Sequence, residues 1–182
     1  ARHQRDRQAK FGFSTVDSRA SQSAYQRLER PDLLPCNQMR IAFASSENTG
    51  NDKRARYAID GKPETIWHSQ FSPTLAKHPH ELVIDLKKIR KITGFQYLAR
   101  QDKGWNGTFG KTEFFLSQDK DAFSEKPFTI TFSKKKKPQT FRLPESMSAR
   151  FLKVRILSET NGMEWASASE IGVLVAPVKK VK

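Results

Sequence analysis

The run Phe128-Thr-Ile-Thr-Phe-Ser133 alternates apolar and polar residues with a period of two. That period belongs to a strand with one face buried and the other wet. Phe128, Ile130 and Phe132 are expected to face inward, and Thr129 and Thr131 outward. The same habit recurs along most of the chain. Arg40–Ser46, Glu81–Leu86, Ile92–Leu98, Lys111–Ser117, Gln139–Leu143, Arg150–Ile156 and Glu170–Val175 each read as a strand. Gly, Pro, Asn and Ser clusters separate these runs, and no long stretch carries a helical period. The expected fold is therefore all-β, an antiparallel β-sandwich of about eight strands. A chain of 182 residues with thirteen phenylalanines can bury such a core without disulfides. Cys36, the single cysteine, excludes an intrachain bridge in any case.

The ends differ from this body. Residues 1–37 are rich in Arg, Gln and Ser, with Phe11, Phe13 and Tyr25 as isolated aromatics. Ser21 to Arg30 has the makings of a short helix with a thin apolar face. Pro31 and Pro35 bracket the end of the segment, which is read as a linker or as a strap over the domain. The folded domain is expected over 38–176, followed by a basic tail at 177–182. No initiator Met or charged-then-apolar leader opens the chain, which is expected to be a fragment or processed form of something longer. No apolar run approaches the roughly 18 residues of a membrane-spanning helix. The net charge of +14 favours polyanions in general: nucleic acid, sulfated or sialylated glycans, or acidic lipid headgroups. Charge alone does not choose among them. Nucleic-acid stacking would need aromatics on an exposed sheet face, whereas most phenylalanines here fall at inward positions. Lys134 to Lys137 read as a solvated loop between two strands.

Three stretches could carry chemistry. In Tyr57–Ser69, Asp60-Gly61 makes a tight turn, with Thr65 five residues after the aspartate. A carboxylate, a hydroxyl and several carbonyls in one loop can present oxygens to a hard cation such as calcium. The simpler alternative is a turn leading into a core strand with Trp67 buried. His68, His78 and His80, with Glu81, would suit zinc only with a recognised ligand spacing, which is lacking. Glu159 and Glu164 flank Asn161-Gly162, but no nucleophile accompanies them, and no Ser-His-Asp signature or phosphate loop is present. The third stretch is Tyr97–Gly107, which gathers Arg100, Gln101, Asp102, Trp105 and Asn106. Planar donors fix hydroxyl orientation and an aromatic face covers C–H groups, so these residues suit a sugar. A polar loop with Trp105 tucked into the core fits the same residues.

Several of these elements, in chain order, resemble the discoidin, or coagulation-factor type C, superfamily. They are Ser45-Ser46-Glu47-Asn48, Ala58–Trp67, Glu81–Leu86, Ile92–Asp102, Phe114–Ser117, Arg150–Val154 and Ala168–Ile171. The likeness is greatest to its sugar-binding branch, carbohydrate-binding module family thirty-two. It covers residues 39 to about 176 and implies a jelly-roll sandwich. It also implies a structural calcium held by Asp60, Thr65 and Glu170, with carbonyls near Tyr57, Lys62 and Ser169 completing the shell. Lys62 stands where the family often has Asn or Asp. The implied sugar pocket comprises His68, Phe71, Arg100, Asn106 and Trp165, with Trp105 as an alternative stacking partner. The function implied is a non-catalytic carbohydrate-binding module for galactose or N-acetylgalactosamine termini, as on mucin-type glycans, with the positive charge steering the domain toward sialylated or sulfated chains without setting specificity. Such a module would be a monomeric part of a larger secreted glycan- or glycoprotein-degrading enzyme, outside the cell or on its surface. A discoidin-type domain binding anionic lipid, protein or polyanion surfaces is the alternative, with Phe71, Trp105 and Trp165 as apolar spikes. Nucleic acid and a free-standing enzyme are the remaining classes.

Overall fold

A computed structural model describes residues 30–177. Its strands are β1 (Arg40–Ala44), β2 (Trp67–His68), β3 (His80–Leu98), β4 (Lys111–Ser117), β5 (Phe128–Thr131), β6 (Gln139–Ile156), β7 (Ser167–Ala168) and β8 (Glu170–Val175). Every pairing between them is antiparallel. Only short 3-10 turns, the longest Ala55–Ile59, interrupt the β structure among the described residues. The larger sheet runs β1-β3-β6-β4-β5, with β8 also paired to β3, and β2 and β7 form a separate ribbon.

The expected number of strands is met, but by different members. Glu81–Leu86 and Ile92–Leu98 are two halves of β3, and Gln139–Leu143 and Arg150–Ile156 are two halves of β6. The two long strands bend together, their register shifting between Asp85 and Arg90. Lys87 takes a positive φ of 65° at that corner. The first half of β3 pairs with β1 and the end of β6, while its second half pairs with β8 and the start of β6. One bent strand pair thus serves both layers of the sandwich. The two-residue strands β2 and β7 make up the number, too short to show any period in sequence.

The core lies between the layers. Phe95 of β3 stacks on Phe114 of β4 with centroids 4.6 Å apart. Leu82, Ile84 and Leu86 are buried, as their alternation predicts. Phe132 is buried, Phe128 and Ile130 pack partly against the core, and Thr129 and Thr131 are exposed. Trp67 is fully buried and donates its indole N–H to Ser46 O at 3.1 Å. Tyr97 is equally buried: its hydroxyl donates to Ser167 O at 3.0 Å and accepts from Phe109 N–H at 3.1 Å. It therefore ties β3, β7 and the loop before β4 at one point, and burial pushes its ionisation well above the usual tyrosine range.

The end of the N-terminal segment lies along β8. Leu34 N–H donates to Val173 O, Asp32 O accepts from Val175 N–H, and the Leu34 side chain enters the core. Residues 1–29, with the proposed Ser21–Arg30 helix apart from its last residue, lie outside the described residues, as do 178–182 of the tail.

Both ends of β3 come to one pole of the sandwich. His80 Nε2 bonds Glu164 O, and Leu98 O accepts from Ser169 N–H, so both ends lie beside the short segment around β7. The loops after β1, after β3 and before β7 gather at that pole.

Candidate functional site

A cavity of about 350 Å³ opens there, lined by Asn51, Lys53, Ile66, His68, Phe71, Arg100, Asn106 and Trp165. Its size falls at the low end of ligand pockets, which run roughly 300–1,000 Å³. His68 comes from β2, and its pairing with Ser167 of β7 holds it beside the segment that carries Trp165. The imidazole is buried, edge-on to Phe71 at 5.0 Å and tilted against Trp165 at 6.2 Å. Its Nδ1 lies 2.7 Å from Ser69 O. A carbonyl only accepts, so Nδ1 carries the proton and Nε2 is left as an acceptor. Burial lowers the ring's pKa below its ordinary value, the Ser69 carbonyl pulls it back, and the charges of Arg100 and Lys53 lower it again. The ring is neutral at pH 7.

Phe71 is 40% exposed at the mouth. Its loop is set by Asn48, whose side-chain oxygen accepts from the N–H groups of Phe71 and Ser72, both at 3.1 Å. The Asn48 amide also donates to Asn51 Oδ1 at 2.8 Å, bringing that residue to the wall.

Arg100 leaves the end of β3 and is gripped by Asp102, Nε to Oδ1 at 2.7 Å and one terminal nitrogen to Oδ2 at 2.6 Å. The guanidinium holds the Asp102 carboxyl below its ordinary range. Asn106 follows in the same loop, its carbonyl accepting from Ser167 Oγ at 2.6 Å. Two residues outside the cavity shape this loop. Lys136 donates to the carbonyls of Arg100, Asp102 and Gly104, and its ammonium lies 3.9 Å from the Trp105 ring centroid. Buried Glu159 accepts from Gly107 N–H at 3.2 Å, and from Asn161 and Met163 N–H ahead of Trp165. Glu159 is thus a clamp between two loops, its oxygens committed to backbone N–H groups and to the Asn161 side-chain amide at 2.6 Å.

The structure therefore brings His68, Phe71, Arg100, Asn106 and Trp165 to one cavity and leaves Trp105 outside it. The Trp105 ring is covered by Lys136 instead, with Lys134 at 5.3 Å. Part of the lysine run is thus a prop for the loop, and not only a solvated turn.

The second cluster lies at the Asp60 turn. Gly61 takes φ 77°, and Asp60 Oδ1 accepts from Lys62 N–H at 2.9 Å. Thr65 Oγ1 sits 2.9 Å from both Asp60 oxygens and from Lys62 O. Glu170, at the start of β8, faces Asp60. Its carboxyl is pushed up to about 9, by burial first and by Asp60 second, with Lys62 and Gly61 N–H pulling the other way. Glu170 Oε1 and Ser169 Oγ are buried without a hydrogen-bond partner among the described residues. Tyr57 uses its hydroxyl on Asp52 at 2.7 Å, which leaves only its carbonyl for the role expected of it. Lys62 presents its carbonyl to the cluster, so its side chain need not supply an oxygen.

His78 and His80 lie edge to face with centroids 4.7 Å apart. Their nitrogens face the carbonyls of Ile156, Met163 and Glu164 and the hydroxyl of Ser46, which makes them a fastening between β3 and the β6–β7 loop.

Residues 42–171 match the F5/8 type C domain family. The chain is an F5/8 type C domain. It is 32% identical over 143 residues to a sialidase of Micromonospora viridifaciens, covering 78% of this chain and 22% of that protein. To a galactose oxidase of Gibberella zeae it is 30% identical over 132 residues, covering 72% of this chain and 19% of that protein. It thus spans about a fifth of the length of these curated relatives. Among solved structures, CpGH89CBM32-5 from Clostridium perfringens, in complex with GalNAc-β-1,3-galactose, superposes with a TM-score of 0.70. That neighbour is 30% identical, with 79% of this chain and 99% of the neighbour covered. Family 32 carbohydrate-binding modules dominate the structural neighbours, and the domain is a carbohydrate-binding module.

Chemically, this F5/8 type C domain offers its cavity one neutral imidazole acceptor, a guanidinium, an ammonium, two amides and two aromatic faces, which is equipment for gripping a polar ring. Sequence reasoning missed Asn51, Lys53 and Ile66 in the wall. Asn48 stood in the quoted Ser45–Asn48 run and was the available signal for Asn51. The Asp60–Glu170 cluster offers oxygen ligands, among them the unpartnered Glu170 Oε1 and Ser169 Oγ, and burial beside Asp60 pushes up the Glu170 carboxyl, so the residues present fit a hard cation.

Proposed function

We propose that this module binds galactose or N-acetylgalactosamine termini of glycans, mucin-type chains among them. It would act as a monomeric, non-catalytic part of a longer secreted glycan-degrading enzyme. The observation that carries this reading is the convergence of His68, Phe71, Arg100, Asn106 and Trp165 on one cavity. The galactose-containing ligand in the Clostridium perfringens neighbour supports it, as do the sialidase and galactose oxidase relatives. In this account His68 Nε2 accepts a hydrogen bond from one sugar hydroxyl. Arg100, pre-set by Asp102, and the Asn106 amide hold adjacent hydroxyls, while Phe71 and Trp165 cover the C–H face of the ring. Affinity for a single sugar is expected to be weak, because a small open cavity offers few contacts.

We further propose that calcium occupies the Asp60 corner, held by Asp60, Thr65 and Glu170 with carbonyl oxygen from Lys62, Tyr57 and Ser169. Its positive charge would let both carboxylates ionise and fasten the Asp60 turn to β8.

The test is a glycan array at physiological salt, with anionic liposomes and oligonucleotides in parallel. Retention on galactose-terminated glycans that free galactose competes away is the expected result. Retention that ignores galactose and vanishes with modest added salt would mark a general polyanion binder and overturn the reading.

A further inference from the structure

The cavity wall carries two cations, Lys53 and Arg100, and no Asp or Glu. Their situations differ. Arg100 is paired with Asp102 through two nitrogens on one edge of its guanidinium. Asp52, next to Lys53 in the chain, is occupied by Tyr57 Oη at 2.7 Å and by Arg54 and Arg56 at 3.5 and 3.9 Å. Among the described residues, no carboxylate lies within ion-pairing distance of Lys53.

Lys53 is also held in place by its backbone. Its N–H donates to Asn48 O at 2.9 Å, and its carbonyl accepts from His68 N–H at 3.3 Å. The residue is therefore stitched to the strand that carries the cavity's imidazole. It is half-buried, unlike the exposed Lys62 or Lys88. Its charge is felt at the His68 ring, where it acts in the same direction as that of Arg100.

From this arrangement we infer that the cavity takes a galactose-type sugar bearing an anionic substituent, a carboxylate or a sulfate, and that Lys53 reads the negative charge. The inference rests on the reading that the cavity holds a galactose-type ring. A neutral sugar leaves Lys53 with hydroxyls and water only. A carboxylate or sulfate gives it a charged acceptor beside low-dielectric aromatic walls, where charge-assisted bonds are shorter and stronger than neutral ones. The contribution is distinct from the general attraction of a +14 chain for anions, which salt screens and which any surface lysine shares.

Titration calorimetry at physiological salt tests this with single sugars, so that multivalent polyanion effects are absent. The ligands are methyl galactoside, galacturonate, a sulfated galactose and a sialylated galactose, the last three separating ring carboxylate, sulfate and appended carboxylate. The readout is the ratio of anionic to neutral affinity, which separates loss of charge recognition from general loss of binding. The wild-type domain is expected to prefer at least one anionic sugar by roughly tenfold, the worth of a charge-assisted hydrogen bond. Lys53→Gln is expected to bring that ratio close to one, and Lys53→Arg to restore most of it. Lys88→Gln, which removes a surface charge at the β3 corner, should leave the ratio unchanged. A wild-type ratio near one with galactoside still bound would overturn this inference and leave the galactose reading standing. So would a Lys53→Gln ratio matching that of Lys88→Gln. Failure to bind any of the four sugars would overturn both.

Discussion

His68 donates from Nδ1 to the Ser69 carbonyl, so its other nitrogen can only accept, and this decides how binding should depend on pH. Its lowered pKa keeps the ring neutral down to a pH below the ordinary 6.5. Galactose affinity should therefore be flat from pH 8 to 7 and fall on acidification, as protonation converts the acceptor into a second donor. An affinity that rises toward pH 5 would contradict the assignment. His68→Ala should abolish retention on galactose-terminated glycan and, since the ring is buried, cost about 1–2 kcal/mol in denaturant unfolding. Lys136 makes a subtler case. Lys136→Met keeps the apolar stem over Trp105 but leaves three carbonyls without their donor. The expected outcome is a several-fold loss of sugar affinity with a stability change under about 1.5 kcal/mol; an unchanged affinity would show that the loop keeps its shape without the clamp. Nothing local distinguishes Lys136 from its neighbours in the run Lys134 to Lys137. Its role depends on a loop more than thirty positions earlier, and for the same reason Trp105 could be read from sequence as a sugar platform. Lys53 was hidden likewise, because its neighbour in the cavity is His68, across a fold that local pattern does not encode.

Among the elements, the bent pair β3 and β6 and the Asp60 turn are where structure departs most from local pattern. The two halves of β3 are legible because each alternates against a buried face. The continuity between them is not, since it depends on hydrogen bonding to β6 around the corner at 85–90. Gly94 shows how tight that pairing is: a Cβ there would lie 2.2 Å from the Phe141 carbonyl oxygen and 3.0 Å from Leu174 Cδ1. Gly94→Ala should cost about 3 kcal/mol, read as a lower denaturation midpoint; a loss under about 1 kcal/mol would mean that the layers separate easily. At the Asp60 turn, the raised Glu170 pKa yields a signed expectation. Between its ordinary 4.5 and about 9, the folded chain holds a proton that the unfolded chain lacks, so metal-free stability falls as pH rises. His68 and His80 have lowered pKa values and act below 6.5, and Lys136, lowered from 10.5 by burial, acts in the opposite sense, so a fall in stability from pH 7 to 9 points to Glu170. Melting temperature in EDTA should drop across that window. Calcium should raise it most at the alkaline end, and Glu170→Gln should remove both the slope and the calcium response. Equal slopes with and without calcium would exclude metal from the corner.

For the whole molecule, the bent strand pair returns the ends of β3 to one pole, and that return is what allows loops distant in sequence to build a cavity. The sandwich class was legible from period-two runs and their turn clusters, because burying one face of a strand leaves a local trace. The grouping of His68, Phe71, Arg100, Asn106 and Trp165 was legible only through the family resemblance, since no local period links residues 68 and 165. The positive charge was legible in amount and not in role. In the folded domain Arg40 and Arg150 neutralise buried Asp85, whose carboxyl is lowered to about 2, and Lys136 braces a loop, while Lys53 faces the cavity. The central claim is that the cavity at this pole is a sugar site. Its most direct test is an NMR titration of the isotope-labelled chain with galactose at physiological salt. Saturable shifts are expected at the His68 ring, the Asn106 amide and the Trp165 indole, and to be absent from Arg100→Ala. Saturable shifts at the β3 corner instead, or no saturable shift with any galactose-type sugar, would contradict the account.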